Sequence, residues 1–307
     1  MTKGKQFAND RNSVRMSARA IYPDDLCSIR AIDVISAERT EAPVALQARE
    51  IRVAYGQVQA LRGADFECRA GEVTALIGDN GAGKSTLVKI LSGSMMPDSG
   101  ELYVAGNPFR AAAPTDAQTV GIETVYQDLA LAPDLGPVQN LFLGRELRRR
   151  GLLGRLGFLD NKKMIASASA DFERLGLRVD TKRGSVREMS GGQRQGVAVA
   201  KAVSWAKSVV ILDEPTAALG VVQTKGVLDM VRRVADHGLA VVLITHNMTD
   251  VLSVADRIEV LRLGERVARF SRAEATLENL VAAMTGGSGA NAHASAQQEP
   301  TTLSAGD

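Results

Sequence analysis

The glycine-rich segment Gly78–Ser85 constrains the fold of this chain more than any other part of the sequence. It runs Gly-Asp-Asn-Gly-Ala-Gly-Lys-Ser, which fits the spacing G-x-x-x-x-G-K-[ST] and has a third glycine inside it. The apolar run Glu72–Ile77 before the segment predicts a buried strand, and Lys84–Leu91 after it predicts a helix. A strand, a tight loop and a helix in this order indicate an α/β fold.

The loop has the chemistry of a phosphate-binding site. Its glycines permit positive φ and let backbone N–H groups converge on an anion, while the following helix directs its positive end at the same point. Lys84 supplies a charge for the β- and γ-phosphates, and the Ser85 hydroxyl can bind Mg²⁺. The predicted nucleotide-binding residues of this segment are Gly78, Asp79, Asn80, Gly81, Ala82, Gly83, Lys84, Ser85 and Thr86, the last near the α-phosphate. GTPases, kinases and helicases also carry such loops, so the loop alone leaves the class of protein open.

The rest of the sequence predicts an α/β core interrupted by a helical region. Strand signals occur at Leu46–Val53, Leu61–Cys68, Glu72–Ile77, Glu101–Val104, Val209–Leu212, Ala240–Thr245, Arg257–Leu263 and Arg266–Phe270. The first two strands flank a turn at residues 55–57 and are expected to form an antiparallel edge unit. Helical periodicity replaces strand signals in the middle of the chain, for instance at Met164–Leu175 and Gln193–Trp205. We therefore predict a core at residues 46–285 with a helical subdomain at about 128–206.

The two ends of the chain differ from this core. Residues 1–45 are polar and of mixed charge with no sustained period, so we expect a peripheral or disordered extension. Residues 286–307 consist largely of Gly, Ser, Ala, Gln and Thr and are expected to be a disordered tail. No apolar run approaches the ~20 residues that span a bilayer, and the start lacks the apolar centre of a secretory signal. If the protein acts at a membrane, we expect it to dock to another protein that crosses it.

Composition argues against a nucleic-acid partner. A formal net charge of +2 over 307 residues is too small for a basic field that binds nucleic acid by neutralising phosphates. Aromatic residues are only 4% of the chain, so stacking platforms for single strands are not evident either. The two cysteines, Cys27 and Cys68, lack the spacing of a metal site or disulfide framework, which favours a reducing compartment.

Two further elements identify the class of nucleotide-binding protein. The segment Met189–Gln193 opens a predicted helix shortly before Val209–Glu214, an apolar strand that ends in Asp-Glu. In isolation, Ser190 would be read as a helix N-cap and the two glycines as a turn. In this order after the glycine loop, however, the two elements resemble the signature and Walker B motifs of the ABC ATPase family. The resemblance covers residues 46–285 and implies a P-loop core with a mixed sheet, antiparallel edge strands and a helical subdomain.

The family resemblance implies a site completed by two chains, and hence a homodimer that binds ATP with Mg²⁺. The signature residues of one subunit would cover the γ-phosphate held by Lys84 of the other, adding a second helix N-terminus and further N–H donors. The signature residues are Ser190, Gly191, Gly192 and Gln193. Met189 stands where the family usually has leucine, a swap of similar volume.

The resemblance also implies catalytic roles at the predicted strand ends. Asp213 would bind Mg²⁺, and Glu214 would polarise the attacking water. His246 follows a predicted strand and matches the family's switch histidine, which contacts the γ-phosphate. The implied catalytic residues are Glu214, His246 and Lys84, and the implied magnesium ligands are Ser85, Gln127 and Asp213.

Three other positions bear on the resemblance. Gln127 matches the family's Q-loop glutamine, which joins the metal and water shell and couples the site to the helical insert. Tyr55 matches the aromatic residue that stacks on adenine, although a tyrosine at a strand end is more often a packing residue. Gly220 stands where many relatives have aspartate, which puts that aspartate's contact across the dimer in doubt.

Three segments resemble the monosaccharide-importer branch, and fructose importers in particular. They are Gly121–Gln127, Asn140–Glu146 and Glu214–Gly220. The branch implies an ATPase that drives uptake of a monosaccharide, with fructose the first choice and ribose or xylose as alternatives. It further implies integral membrane permease subunits, indirectly a periplasmic sugar-binding protein, and a peripheral location on the cytoplasmic face of the bacterial inner membrane.

Other functions remain open at this point. The chain could serve a transporter for another solute, or act as a soluble ABC ATPase on ribosomes or DNA. The short stretch between Gln127 and Ser190 argues against the long coiled coil of repair proteins. A non-catalytic ABC module is the third alternative, but the residues expected for turnover are all present. The basic run Arg145–Arg155 is expected to be a solvated face.

Overall fold

A computed structural model describes residues 42–182 and 184–287 of the chain. The predicted extension at 1–45 and tail at 286–307 therefore lie almost wholly outside the described residues. The strands are β1 (Val44–Tyr55), β2 (Val58–Arg69), β3 (Val73–Ile77), β4 (Ser99–Val104), β5 (Asn107–Phe109), β6 (Ile122–Val125), β7 (Val209–Asp213), β8 (Ala240–Ile244), β9 (Arg257–Arg262) and β10 (Glu265–Ser271). The helices are α1 (Lys84–Leu91), α2 (Pro114–Thr119), α3 (Pro137–Phe142), α4 (Leu152–Arg155), α5 (Asn161–Arg174), α6 (Gly191–Trp205), α7 (Val221–Asp236), α8 (Met248–Val254) and α9 (Leu277–Thr285), with a 3₁₀ turn at Val186–Glu188.

The larger sheet has six strands in the order β10-β9-β3-β8-β7-β6. Strands β9, β3, β8, β7 and β6 run parallel, and only β10 pairs antiparallel, with β9. Every residue of β3 and β8 is buried, as expected for central parallel strands covered on both faces. The sequence predicts a mixed α/β sheet, and this prediction is confirmed.

The smaller sheet is antiparallel, in the order β2-β1-β4-β5. Strands β1 and β2 form the predicted hairpin, whose turn lies at Gly56-Gln57. The hairpin thus belongs with β4 and β5 to a second sheet, while β10 forms the antiparallel edge of the larger sheet. Sequence patterns alone do not detect β5 and β6, because strands of three and four residues carry too little periodicity.

The middle of the chain is helical, as predicted. Helices α3, α5 and α6 pack on one another there, and Arg148 and Leu159 form an isolated antiparallel bridge. Apolar side chains of this region, such as Met164 and Phe172, join the same core as Val210 and Leu212 of the parallel sheet. The helical region therefore packs against the side of the sheet that contains β6 and β7. Within the described ranges, no helix is long and apolar enough to span a bilayer.

Candidate active site

The carboxyl ends of the central parallel strands lie level with one another. Ile244 of β8 pairs with both Leu76 of β3 and Asp213 of β7, and Leu212 pairs with Val125 of β6. The loops that follow these strands therefore meet at one edge of the sheet, where sheets of this kind bind ligands. Those loops carry the glycine segment, Glu214, His246 and Gln127, so the topology brings together predicted residues that are far apart in sequence.

The glycine loop is constrained by close contacts at both of its ends. Gly83 is the N-cap of α1 with φ of 102°, and a Cβ there would lie 2.7 Å from the carbonyl oxygen of Ala60. A Cβ on Gly78 would collide with the carbonyl oxygen of Leu261. Neither position accepts a larger residue without a shift of backbone. The loop between them, from Asp79 to Gly81, is exposed at the start of α1.

Lys84 folds back over this loop. Its Nζ donates hydrogen bonds to the carbonyl oxygens of Gly78 at 2.7 Å and Asp79 at 3.0 Å. The side chain is thereby held along the loop rather than pointing freely into solvent. Ser85 is exposed and Thr86 half-buried on the first turn of α1. A cation, a hydroxyl and the positive end of α1 thus lie at one point, an arrangement suited to binding phosphate.

Glu214 and His246 are hydrogen-bonded to each other. His246 Nδ1 lies 2.9 Å from Glu214 Oε1, and the Glu214 N–H donates to the carbonyl oxygen of Ile244 at 2.9 Å. Glu214 has φ of 51°, in the left-handed region that non-glycine residues rarely adopt. Its side chain is 17% exposed and that of His246 is 73% exposed. The carboxylate is therefore shielded and fixed, while the imidazole faces the open side of the site.

The charges of the site act on one another. Desolvation lowers the pKa of Lys84, and the carboxylates of Glu214, Asp79 and Asp213 counteract that shift. Desolvation raises the pKa of Asp213; Glu214 adds to the increase, and Lys84 opposes it. Perturbed groups that influence one another within a cleft are typical of functional sites.

Gln127 and Tyr55 lie at the margins of this cluster. Gln127 is exposed and follows β6 by two residues, in a turn where Leu129 and Ala130 have positive φ. Tyr55 ends β1, is 50% exposed, and its hydroxyl donates to the Met95 sulfur at 3.2 Å. About half of Tyr55 is therefore open to solvent.

The predicted signature residues form a separate surface. Ser190 caps α6: its Oγ accepts from the Gln193 N–H at 3.3 Å, and the Gln193 side chain accepts from the Ser190 N–H at 3.0 Å. Among the described residues, no hydrogen bond or ion pair links this turn to the glycine loop. Gly191 and Gly192 lie against Leu219 and Gln223 instead. Ser190 and Gln193 are exposed, so the N-terminus of α6 is accessible in the single chain.

Sequence patterns did not reveal how the loops of the site are held together. Thr216 Oγ1 donates to Asp250 Oδ2 at 2.7 Å, and Asp250 is buried on α8. This bond joins the loop after Glu214 to the helix that follows His246. Both are ordinary polar residues in irregular segments, and only the tertiary structure pairs them.

A second cluster that sequence patterns missed centres on Glu123 of β6. Glu123 of β6 is nearly buried, and its Oε1 lies 2.7 Å from a guanidinium nitrogen of Arg145. That guanidinium covers the Trp205 ring at 4.9 Å, and Trp205 Nε1 donates to the Leu141 carbonyl oxygen at 2.9 Å. Desolvation raises the pKa of Glu123, while Arg145 and then Lys201 oppose that shift. The cluster joins β6 to α3 and α6.

The donor set fits a magnesium ion bound together with a nucleotide. No group of three or more His, Cys, Asp or Glu side chains that could hold a metal occurs in the described ranges. Magnesium bound to substrate phosphates needs only one or two protein ligands and keeps several waters. The hydroxyl of Ser85 and the carboxylate of Asp213 are oxygen donors of this kind, at the same edge of the sheet. The residues present therefore suit a shared ion rather than a protein cage.

Comparison with known proteins finds relatives that are ATP-binding proteins of import systems. Residues 61–217 match the family model described as ABC transporter. A fructose import ATP-binding protein of Rhizobium meliloti is 47% identical over 243 residues, covering 78% of this chain and 94% of that protein. A xylose/arabinose import ATP-binding protein of Sulfolobus acidocaldarius is 43% identical, with 78% and 93% covered. A ribose import ATP-binding protein of Yersinia pestis is 38% identical, and the match spans 46% of its length.

Solved structures show the same fold. A crystal structure of the ADP conformation of an ATP-binding cassette of an ABC transporter superposes with a TM-score of 0.66 at 24% identity. The superposition covers 79% of this chain and 95% of the other. A dimeric bacterial ABC transporter cassette superposes with a TM-score of 0.62 at 21% identity, covering 74% and 98%. At this level of identity the likeness concerns architecture.

Proposed function

Because the chain belongs to the ABC transporter family of ATPases, we propose that it is the ATP-hydrolysing subunit of a monosaccharide importer. The assignment of ATP hydrolysis rests mainly on the hydrogen bond between Glu214 and His246. This bond lies at the same edge of the sheet as Lys84 and Asp213. The sugar assignment rests on the functions of the relatives. Fructose is the first choice, because the fructose import protein shares 47% identity over 94% of its length. Xylose and ribose follow from the other two relatives.

The proposed reaction is hydrolysis of ATP to ADP and phosphate. A water oxygen attacks the γ-phosphorus, and the bond from that phosphorus to the oxygen bridging the β-phosphate breaks. Glu214 orients the water and accepts its proton, a role for which a shielded, fixed carboxylate is suited. His246 holds that carboxylate through Nδ1, and its exposed ring faces the γ-phosphate.

The other predicted residues bind and orient the nucleotide. Lys84 and the loop N–H groups face the β- and γ-phosphates, where negative charge develops during the reaction. The face of Tyr55 stacks on adenine. Ser85, Asp213 and Gln127 would hold Mg²⁺, which neutralises phosphate charge when bound.

The active assembly that we propose contains two copies of the chain. The α6 N-terminus at Ser190 and the adjoining glycines would face the nucleotide held by Lys84 of the partner copy. Two observations support this: Ser190 is exposed, and none of its bonds in the described residues reaches the glycine loop of its own chain. Gly220 lacks the carboxylate that many relatives have there, so the dimer contact at this loop would differ.

The partners follow from import as the function. We propose integral membrane permease subunits that dock on the helical region at about 128–206, and indirectly a periplasmic sugar-binding protein. The chain would then act peripherally at the cytoplasmic face of the bacterial inner membrane. Residues 46–285 would supply the ATPase, while 1–45 and 286–307 would be dispensable for hydrolysis.

Sugar uptake tests the proposal. Cells that carry wild-type protein or Glu214→Gln would be given labelled fructose, xylose and ribose. We expect Glu214→Gln to abolish uptake of one of these sugars, fructose first, and to leave the others unchanged. If uptake of every sugar were the same in both kinds of cell while purified wild-type protein hydrolysed ATP, monosaccharide import would be contradicted. The assignment as an ATPase would still stand.

A further inference from the structure

A hairpin projects from the helical region between α3 and α5, and it plays no part in the proposed active site. Its base is closed by backbone hydrogen bonds from Asp160 to Leu147 at 2.7 Å and from Arg149 to Phe158 at 2.9 Å. Its tip is the single turn α4, Leu152–Arg155. A Cβ on Gly154 would collide with the carbonyl oxygen of Arg149, so the tip packs tightly on its own base. We call residues 147–160 the basic hairpin.

The apolar side chains of the basic hairpin face outward. Leu152 is 71% exposed, Leu156 66% and Phe158 54%. Leu153 and Leu159 are also exposed. A single exposed leucine is ordinary on a protein surface. Several exposed apolar side chains on one small projection indicate a surface that binds a protein, a membrane or a ligand. The sequence predicts a solvated face for this run, and the leucines between its arginines do not fit that prediction.

All charged side chains of the basic hairpin before Asp160, which ends it, are positive. Residues 147–159 contain four arginines, six leucine or phenylalanine residues and three glycines, and no acidic residue. Arg148, Arg149, Arg150 and Arg155 are all exposed. In the described part of the chain, no ion pair involves Arg149, Arg150 or Arg155. Their charge is therefore available to an external anion.

We propose that the basic hairpin binds an anionic lipid bilayer directly, with its leucines at the acyl boundary and its arginines on the lipid phosphates. Apolar side chains beside arginines are the composition of segments that lie in a membrane interface. Each arginine close to an anionic leaflet strengthens binding by about fivefold. The inference goes beyond the proposed function, because it requires neither nucleotide nor permease.

Lipid fits the basic hairpin better than a protein partner does. A specific protein interface fixes its register through hydrogen bonds from varied polar side chains. Between Leu147 and Leu159 the only polar side chains are guanidinium groups, which accept no hydrogen bond. A bilayer does not require the bound segment to sit at one fixed position. Its phosphates form a planar layer, and hydrocarbon lies beneath them. An apolar tip between guanidinium groups matches that layering.

Vesicle flotation tests the proposal with the purified full chain. The probes are vesicles of phosphatidylcholine alone and of phosphatidylcholine mixed with phosphatidylglycerol. We expect wild-type protein to float with the anionic vesicles, to remain below with the neutral ones, and to be released by salt. The variants Arg149→Glu/Arg150→Glu and Leu152→Ser/Leu156→Ser should each weaken anionic binding by at least about tenfold.

Matched controls separate the hairpin from general charge and apolarity. Lys225→Glu/Arg272→Glu makes the same charge change at exposed sites elsewhere, and Val221→Ser/Val222→Ser removes two valines that are 88% and 82% exposed. Both controls should float like wild type, and all four variants should keep wild-type ATPase rates. The proposal is overturned if wild type ignores anionic vesicles, if the hairpin variants float normally, or if binding requires vesicles that contain permease. If the wild-type protein floated with anionic vesicles but did not hydrolyse ATP, the membrane-binding proposal would stand and the proposed function would be contradicted.

Discussion

The imidazole of His246 and the carboxylate of Glu214 are hydrogen-bonded across the ends of two neighbouring parallel strands, with Nδ1 2.9 Å from Oε1. The two residues are 32 positions apart, and the pairing of β7 with β8 brings them together. The backbone of Glu214 is in the left-handed region, with φ of 51°. Strained residues held by their surroundings are common at catalytic sites.

This relationship predicts the effect of removing the histidine. His246→Ala should lower kcat for ATP hydrolysis by about 10²–10³-fold, because Glu214 loses its orienting partner and the γ-phosphate loses a contact. The affinity for ATP should change little, since the glycine loop is untouched. His237→Ala, at the exposed end of α7, is the matched control and should keep wild-type kcat. Equal rates for the two variants would show that His246 has no catalytic role.

A site shared by two chains predicts rescue between two inactive variants. Lys84→Ala removes the loop cation, and Ser190→Arg removes the α6 cap and blocks its N-terminus. Each should be inactive alone. In a mixture, half of the dimers would combine both variants and contain one intact site, so activity should return to about a quarter of wild type. A mixture as inactive as its components, despite dimer formation, would contradict the shared site.

Sequence patterns predicted most of the fold because the informative segments are long or strongly constrained. The strand before the glycine loop, α1 and α6 all occur within a few residues of their predicted limits. β6 was missed because four residues carry no clear period, although it places Gln127. The assignments of the individual site residues to catalysis and binding stay predictions. What no pattern could supply were tertiary pairings such as Thr216 with Asp250.

The ion pair between Arg145 and Glu123 gives a prediction on stability. Arg145→Ala should destabilise the chain by about 1–3 kcal/mol, because it leaves the nearly buried Glu123 carboxylate without its partner. Trp205 is the only tryptophan in the sequence, so its fluorescence should report the loss of the overlying guanidinium. Arg149→Ala, at an exposed position nearby, should stay within about 0.5 kcal/mol of wild type. Urea unfolding followed by Trp205 fluorescence measures the stability of both variants. Equal stabilities would contradict a stabilising role for the contact between Arg145 and Glu123.

Glu259 predicts a pH dependence of stability. It is 1% exposed on β9, and desolvation raises its pKa although Arg269, Arg266 and Arg257 oppose the shift. Between the ordinary glutamate pKa and this raised value, the folded chain binds more protons than the unfolded chain. This contribution to stability therefore falls as pH rises through that window.

The variant Glu259→Gln removes this titration. Its Tm relative to wild type should increase as pH rises through the same window and level off above it. Glu265→Gln makes the same change at an exposed site on the neighbouring strand and is the matched control for the loss of a carboxylate. A difference for Glu259→Gln that stays constant, or that changes in the opposite sense, would contradict the raised pKa. Thermal unfolding across the acidic range measures all three proteins.

Hydrolysis of ATP by purified Glu214→Gln tests the central claim most directly. The substitution keeps the shape and a carbonyl oxygen near His246 but removes the base, so kcat should fall by at least about 10²-fold while ATP still binds. Glu265→Gln, the same change at an exposed site, should hydrolyse ATP at the wild-type rate. If Glu214→Gln hydrolysed ATP as fast as wild type, the assignment of the catalytic base, and with it the proposed chemistry of the site, would be contradicted.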